Sequence, residues 1–400
     1  MSGFKRLWGK QWFRLVVLGG LVLASVVLLV FVLRQSEPGR LLEVGTVDFT
    51  QYWAAARLLL QRQNPYDAVL LLAAERAAGW AKHEPILMWN PPWTLALALP
   101  YAALPFGTAA KAWLITNILL VLACGVLLWR AFAPLDAGRL WLGGIAAVAF
   151  VPVMLALQMG QISPWLLVGI TGFLMAVRAR RDGLAGASLV LLTIKPHVGY
   201  LFLFGIAWWI VREHRWRVLL GGAAALTAAC AAVELISPAV FGQYLRAAAS
   251  PPLYWRSATL GTWLRTAFGA EQRWLQFLPT GIGLAGFVVW AIRHKGKWDW
   301  LNLAPGLLLA SAISAAYGWG FDQVTLLPVV VLLITSLRFM PQAHRAFLLG
   351  VYMLAQVGLL LQTQFMVDSS VAYWHPIVLT GLYAWQQWNI RHNQVNNEVN

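Results

Sequence analysis

The sequence predicts an all-α membrane protein that crosses a bilayer about a dozen times. Of its 400 residues, 60% are hydrophobic and only 11% are charged, and the mean hydropathy is +0.65. Soluble domains usually carry about 25% charged residues, and the hydrophobic core of a single soluble domain stops growing at about 250 to 300 residues. A bilayer instead allows apolar side chains to face outward along the whole chain, provided that the backbone is helical.

About twelve apolar stretches are long enough to cross a membrane, or fall only slightly short of it. They begin near Leu15, Ala109, Leu140, Pro164, Leu184, Val198, Val218, Trp274, Leu301, Val324, Arg345 and Val371. The apolar stretch 93–104 is shorter, and counting it as a crossing would move every later basic loop to the wrong side. We therefore expect residues 93–104 to be re-entrant and residues 1–400 to form one integral membrane domain.

The distribution of Lys and Arg indicates how these spans are oriented. The formal net charge is +15, and the basic clusters fall in alternate loops, which then face the cytoplasm. Both termini, including the polar tail 389–400, are predicted to be cytoplasmic, and residues 15–33 form an uncleaved first span. Membrane insertion accounts for the basic charge, so no nucleic-acid partner is implied. The two cysteines, Cys124 and Cys230, lie in apolar runs and have no zinc-binding spacing, and no metal site is predicted.

Three regions are predicted to face the other side of the membrane. They are a first extracytoplasmic loop 34–92, a second loop 237–273, and the short turn that precedes Asp322. In the first loop, residues 52–60 combine aromatic and apolar positions with Arg57, as in a helix that lies at the membrane surface. Short interfacial helices are therefore expected in these loops.

Ionisable side chains close to apolar spans are costly and point to function. The candidates are Asp48, Lys195, His197, Glu234 and Asp322, all on the predicted outward side. Asp48 is suited to accept a proton from a hydroxyl as a general base. An aspartate there is equally typical of a helix cap or of a partner for Arg57, and spacing alone leaves these alternatives open.

Lys195 and His197 flank Pro196, which interrupts a helix and leaves irregular backbone near a cavity. A cation at this place suits a phosphate group, although a lysine and a histidine near a span end are also ordinary interfacial residues. Asp322, with Tyr317, could orient a substrate, pair with Lys195 or cap the following helix. Most of the 23 Trp residues are expected at the headgroup level.

Several motifs follow one another in a familiar order. They read DFTQYWAAARLLL, NPYD, NPPWTLALALPYAALPF, MGQISPW, LLTIKPH and AYGWGFDQVTLLP. From residue 47 to about residue 333 this order resembles glycosyltransferase family 87, the polyprenyl-phosphate-mannose-dependent mannosyltransferases of the GT-C fold. Asn90 stands where that family usually has an aromatic residue.

The resemblance implies a multi-pass enzyme of the cell inner (cytoplasmic) membrane, with its active site on the extracytoplasmic face. It would move a hexose, expected to be mannose, from a polyprenyl-phosphate sugar donor to a glycolipid or glycan acceptor, without a metal or other cofactor. A sugar-lipid flippase and a non-catalytic membrane scaffold are the alternatives. A flippase needs a charged path through the bilayer, whereas the candidates here gather on one face.

The resemblance also implies roles for individual residues. Asp48 is expected to be the catalytic base, and Lys195 with His197 would bind the phosphate of the leaving lipid. The remaining residues expected to bind substrate are Tyr52, Trp53, Arg57, Tyr66, Asn90, Gln161, Tyr317 and Asp322.

Overall fold

The computed structural model describes residues 45–134, 136–250, 255–294, 296–365 and 369–399. All regular secondary structure in these ranges is helical, which confirms the predicted all-α class for the part of the chain described. The first span, predicted near Leu15, and the beginning of loop 34–92 lie outside the described residues.

The α-helices are joined by short turns and 3₁₀ segments. In chain order they are α1 (Val47–Leu60), α2 (Ala68–Ala77), α3 (Trp93–Ala102), α4 (Phe106–Phe132), α5 (Trp141–Val148), α6 (Val151–Met159), α7 (Ser163–Arg178), α8 (Asp182–Leu189), α9 (Tyr200–Arg212), α10 (Trp216–Glu234), α11 (Val240–Ala248), α12 (Leu260–Phe268), α13 (Trp274–Arg293), α14 (Trp300–Ser314), α15 (Leu327–Ser336), α16 (Gln342–Phe365) and α17 (Trp374–Val399). The main 3₁₀ segments are Leu192–Ile194, Pro196–Gly199 and Gly320–Leu326.

Five helical segments in the described ranges are long and apolar enough to cross a membrane. They are Phe106–Phe132, Trp216–Glu234, Trp274–Arg293, Gly320–Phe339 and Gln342–Thr363. The consecutive helices α5 and α6 provide a sixth if their bent pair is counted as one span. The described residues thus form a polytopic membrane protein, and the figure of about twelve crossings stays a prediction.

Proline explains where two of the predicted spans are interrupted. Helices α5 and α6 meet at an angle of 68°, and Pro152 lies in the first turn of α6. Helix α8 has only 8 residues, and the chain then continues through 3₁₀ turns on either side of Lys195. Because Pro196 lacks an N–H group and disfavours helical backbone at the preceding residue, Lys195 lies at a break rather than inside a helix.

Helix α3 matches the apolar stretch that is too short to cross. Its 10 residues correspond to about 15 Å of helix, half of a hydrocarbon core of about 30 Å. Its length is compatible with the predicted re-entrant segment, and its depth in the bilayer stays a prediction.

Helix α1 is buried, unlike the surface helix that its sequence predicts. It has 14 residues, of which ten are buried, and the ring of Phe49 stacks on Trp113 of α4 at 5.2 Å. Its aromatic and alanine residues surround the helix instead of forming one stripe, so several neighbouring elements cover it. In the second loop, by contrast, α11 keeps only Val240 buried, as a surface helix does.

Candidate active site

Four separate parts of the chain meet at one group of polar side chains. The start of α1 carries Asp48, the turn between α6 and α7 carries Gln161, the break before α9 carries Lys195, and the 3₁₀ segment Gly320–Leu326 carries Asp322. Hydrogen bonds link these four residues into a continuous chain, which we call the polar cluster.

Gln161 lies at the centre of the polar cluster. Its Nε2 donates to Oδ2 of Asp48 at 2.8 Å, while its Oε1 accepts from Nζ of Lys195 at 3.0 Å. The hydroxyl of Tyr52 also donates to this Oε1, at 3.1 Å. Since an ammonium group can only donate, the carboxamide has one consistent orientation, with its N–H groups toward Asp48.

A left-handed glycine sets the position of Gln161. Gly160 has φ +68, a conformation that glycine adopts without strain. A Cβ atom at this position would overlap the carbonyl oxygen of Gly45, whose N–H group donates to the carbonyl of Gln158 at 2.7 Å. Trp113 donates from its indole to the Gly160 carbonyl at 2.9 Å. The turn is therefore held directly against the start of α1, where Asp48 lies.

Lys195 and Asp322 form a buried ion pair. Their side chains approach to 2.8 Å, and the two residues are only 7% and 2% exposed. Oδ1 of Asp322 also accepts from the hydroxyl of Ser163 at 2.6 Å, and Oδ2 accepts from the backbone N–H of Trp319 at 3.1 Å. Asp322 thus pairs with Lys195 and caps its own segment at once, so two of the alternatives from the sequence apply together.

The surroundings of Asp48 favour a base of moderate strength. Burial raises the pKa of this carboxyl from 3.8 to about 6, while the Gln161 hydrogen bond and the Lys195 charge lower it. The helix cap of α1 is Thr46, and Arg57 donates to the carbonyl of Ala102 at 2.9 Å. The structure therefore places Asp48 neither at the cap position nor beside Arg57.

His197 contributes an uncharged imidazole. Burial lowers the pKa of this side chain to about 4, so the ring is neutral at physiological pH. Its Nε2 atom is buried and has no hydrogen-bond partner among the described residues. His197 can therefore offer a phosphate a hydrogen bond but not a positive charge, whereas Lys195 can offer both.

Two of the other predicted residues brace the segment that carries Lys195. The amide of Asn90 donates to the carbonyl of Ile194 at 3.4 Å, and the hydroxyl of Tyr66 donates to the carbonyl of Asn90 at 3.2 Å. Tyr317 lines a small open cleft together with Asp322. These contacts place Asn90, Tyr66 and Tyr317 around the polar cluster.

Trp53 and Arg57 lie apart from the hydrogen-bonded chain. The indole of Trp53 donates to the carbonyl of Leu104 at 3.1 Å, and Arg57 bonds to Ala102 in the same region. Both side chains thus fasten α1 to the end of α3, and a role for them in substrate binding stays a prediction.

The sequence match agrees with this arrangement. The model of glycosyltransferase family 87 matches residues 89–360, well over half of the chain. The chain belongs to glycosyltransferase family 87. No curated protein and no solved structure matches it. Since the described residues also include candidate spans, the protein is a membrane glycosyltransferase, and the resemblance seen in the sequence motifs is confirmed.

The region matched to family 87 contains three of the four residues of the polar cluster. Gln161, Lys195 and Asp322 lie within residues 89–360, whereas Asp48 precedes them. Sequence reasoning missed Ser163 as a partner of Asp322, although it belongs to the quoted motif MGQISPW. A small hydroxyl residue beside a proline at a helix start gives too weak a signal to identify such a role.

Sequence reasoning also missed a second buried network in this glycosyltransferase. His375 bonds through Nδ1 to Oε1 of Gln323 and through Nε2 to Nε2 of Gln356. Oε1 of Gln356 accepts the N–H of Val151 at 3.0 Å, so its amide must donate to the imidazole, and the ring proton is on Nδ1. The network ties the segment carrying Asp322 to α6, α16 and α17. The available signal was polar residues inside apolar runs, which are costly in a membrane.

The side chains of the family 87 site can supply acid–base and electrostatic chemistry. In the described part of the chain, no group of three or more His, Cys, Asp or Glu side chains is arranged to hold a metal ion. In and beside the polar cluster, the site holds the Asp48 carboxylate, the Lys195 ammonium group paired with Asp322, and the neutral imidazole of His197. They suit a displacement in which a proton leaves a hydroxyl and negative charge develops on an oxygen.

Proposed function

We propose that this membrane glycosyltransferase moves a hexose from a polyprenyl-phosphate carrier to a hydroxyl group of a glycolipid or glycan, and that the hexose is mannose. The observation that supports this proposal is the bridge through Gln161, which holds the Asp48 carboxylate and the Lys195 ammonium group at opposite ends of one carboxamide. Transfer from a lipid phosphate needs a base near the attacking hydroxyl and a cation near the leaving phosphate.

The reaction proceeds in one displacement. The acceptor oxygen forms a bond to the anomeric carbon while the bond from that carbon to the phosphate oxygen breaks. Asp48 takes the proton of the acceptor hydroxyl, and the phosphate oxygen keeps the bonding electron pair. The products are the glycosylated acceptor and polyprenyl phosphate, whose additional charge is stabilised by Lys195.

Lys195 retains the capacity to bind a phosphate. An ammonium group has three N–H donors, and among the described residues Nζ donates to Gln161 and to Asp322. A third donor is left for a phosphate oxygen, and Asp322 keeps the ammonium group fixed. The buried Nε2 atom of His197 can add a neutral hydrogen bond.

The site belongs, on this proposal, to the extracytoplasmic face of the inner membrane. The polyprenyl chain would lie in the bilayer, and the acceptor would enter through the open cleft beside Tyr317 and Asp322. Support comes from the positive-inside pattern of the loops, which puts the first outward loop and Asp48 on that side.

The direct test is transfer by the purified protein. We would incubate it with membrane lipid extract and either polyprenyl phosphate carrying radiolabelled mannose or the same labelled mannose on a nucleotide, and identify the labelled product. Label should move from the lipid phosphate and not from the nucleotide. Transfer from the nucleotide, or equal activity in an Asp48→Asn preparation, would contradict the proposal.

A further inference from the structure

A row of four aromatic rings leads away from the polar cluster. Phe321 stacks on Trp319 with ring centroids 6.0 Å apart and planes inclined by 8°. Trp319 meets Trp255 edge-on at 5.5 Å, and Trp255 meets Trp89 edge-on at 5.9 Å. We call these four residues the aromatic row. It begins at the site, because Nζ of Lys195 lies 5.0 Å from the Phe321 ring.

The aromatic row lies at the edge of the buried core. Its members come from three distant segments of the chain, and each of the four residues is partly exposed. Fully buried aromatic residues such as Trp113 and Phe173 show what core packing looks like in this protein. Partly exposed rings that face each other across segments leave open surface for a ligand to stack on.

The polar groups along the aromatic row favour a sugar over a hydrocarbon chain. Trp319 lines the open cleft together with Tyr317, whose side chain carries a hydroxyl group. An isoprenoid chain would leave this hydroxyl group without a hydrogen-bond partner on the ligand side. A pyranose ring presents apolar C–H faces to the aromatic rings and hydroxyl groups to polar side chains such as Tyr317.

We propose that the aromatic row binds the pyranose rings of the acceptor glycan and aligns its reacting hydroxyl with the polar cluster. The assignment of this pyranose to the acceptor rests on the proposed transferase function. Binding of a pyranose by the aromatic row is independent of transfer. Each indole face should contribute roughly a 3- to 10-fold gain in affinity, as stacking on an aromatic ring usually does.

Saturation-transfer difference NMR on the full chain in lipid nanodiscs tests this assignment. Nanodiscs are needed because glycoside detergents would themselves occupy a sugar site. Methyl α-D-mannopyranoside is the sugar probe, and farnesyl phosphate is the lipid probe, each titrated alone. The variants are Trp255→Leu and Trp319→Leu, and the matched control is Trp274→Leu, whose side chain is 59% exposed at the start of α13. Thermal unfolding identifies any variant that has lost its fold.

The expected result is a mannoside affinity reduced roughly 3- to 10-fold in each of the two row variants. Mannoside affinity should be unchanged in Trp274→Leu, and farnesyl phosphate should bind all three variants like the parent. Absence of mannoside binding in the parent, or equal binding in the row variants, overturns the proposal. Selective loss of farnesyl phosphate would assign the row to the lipid chain instead.

Failure of the transferase proposal gives a different outcome. A parent protein that binds the mannoside on the aromatic row, but transfers no sugar from polyprenyl phosphate, would contradict the proposed reaction and leave the sugar-binding surface established.

Discussion

The side-chain amide of Gln161 donates a hydrogen bond of 2.8 Å to Oδ2 of Asp48. The oxygen of the same amide accepts a hydrogen bond of 3.0 Å from Lys195. The proton affinity of Asp48 and the position of the cation are therefore coupled through one residue.

The pH dependence of transfer should report on Asp48. Since the base must be ionised and burial raises its pKa to about 6, kcat/KM should rise with a midpoint near that pH. Gln161→Met removes a hydrogen bond that lowers this pKa, so its midpoint should move upward. Transfer rates measured from pH 4.5 to about pH 8 would check this, and a midpoint unmoved in Gln161→Met would argue against Asp48 as the titrating group.

Lys195→Met should destabilise the protein as well as inactivate it. The substitution leaves the Asp322 carboxylate buried without its cation, which usually costs about 3 to 5 kcal/mol. Adding Asp322→Asn removes the unpaired charge and should recover most of the unfolding temperature, but not sugar transfer. Lys195→Arg should keep part of the activity because the charge survives. Full transfer by the Lys195→Met, Asp322→Asn double variant would show that Lys195 serves only the fold.

Gly160→Ala should lower stability more than an ordinary helical substitution. The residue has φ +68, and a Cβ atom would overlap Gly45, so we expect a loss of about 1 to 3 kcal/mol. Gly286 of α13 is the matched control, because a Cβ atom there meets nothing within 4 Å. Gly286→Ala should be neutral or stabilising by about 0.5 to 1 kcal/mol. Equal unfolding temperatures for the two variants would contradict the role given to the turn.

Loop orientation can be measured with single cysteines placed at exposed positions. Gln63 follows α1, and Glu213 lies between α9 and α10. After Cys124 and Cys230 are replaced by serine, a membrane-impermeant maleimide added to intact cells should label Gln63→Cys and not Glu213→Cys. Ser2→Cys and Asn397→Cys should also stay unlabelled, as expected for cytoplasmic termini. Labelling of Glu213→Cys, or of either terminus, would reverse the proposed topology.

Much of the site could be predicted from types of residue that a membrane makes costly. Asp48, Lys195 and Asp322 stand out in an apolar sequence, and Pro196 correctly predicts the break at Lys195. The bridging geometry of Gln161 could not be predicted, because a neutral amide in a turn gives no signal until Gly160 and Gly45 are in contact. The burial of α1 could not be predicted either, because a helix with aromatic and alanine residues on all sides has no preferred face.

Sugar transfer by Asp48→Asn protein tests the central claim most directly. The substitution removes the base while nearly preserving its shape, and a positioned base usually contributes about 10² to 10⁴-fold to a rate. Burial raises the pKa of Asp48, so the stability that this carboxyl contributes is present at low pH and lost as pH rises through about 6. At pH 7 the neutral amide of Asp48→Asn should therefore not lower the unfolding temperature. Donor binding should be kept. In folded, donor-binding Asp48→Asn protein, we predict that single-turnover transfer from polyprenyl-phosphate mannose is reduced by about 10² to 10⁴-fold. Transfer at a rate within a few-fold of the parent would contradict the account.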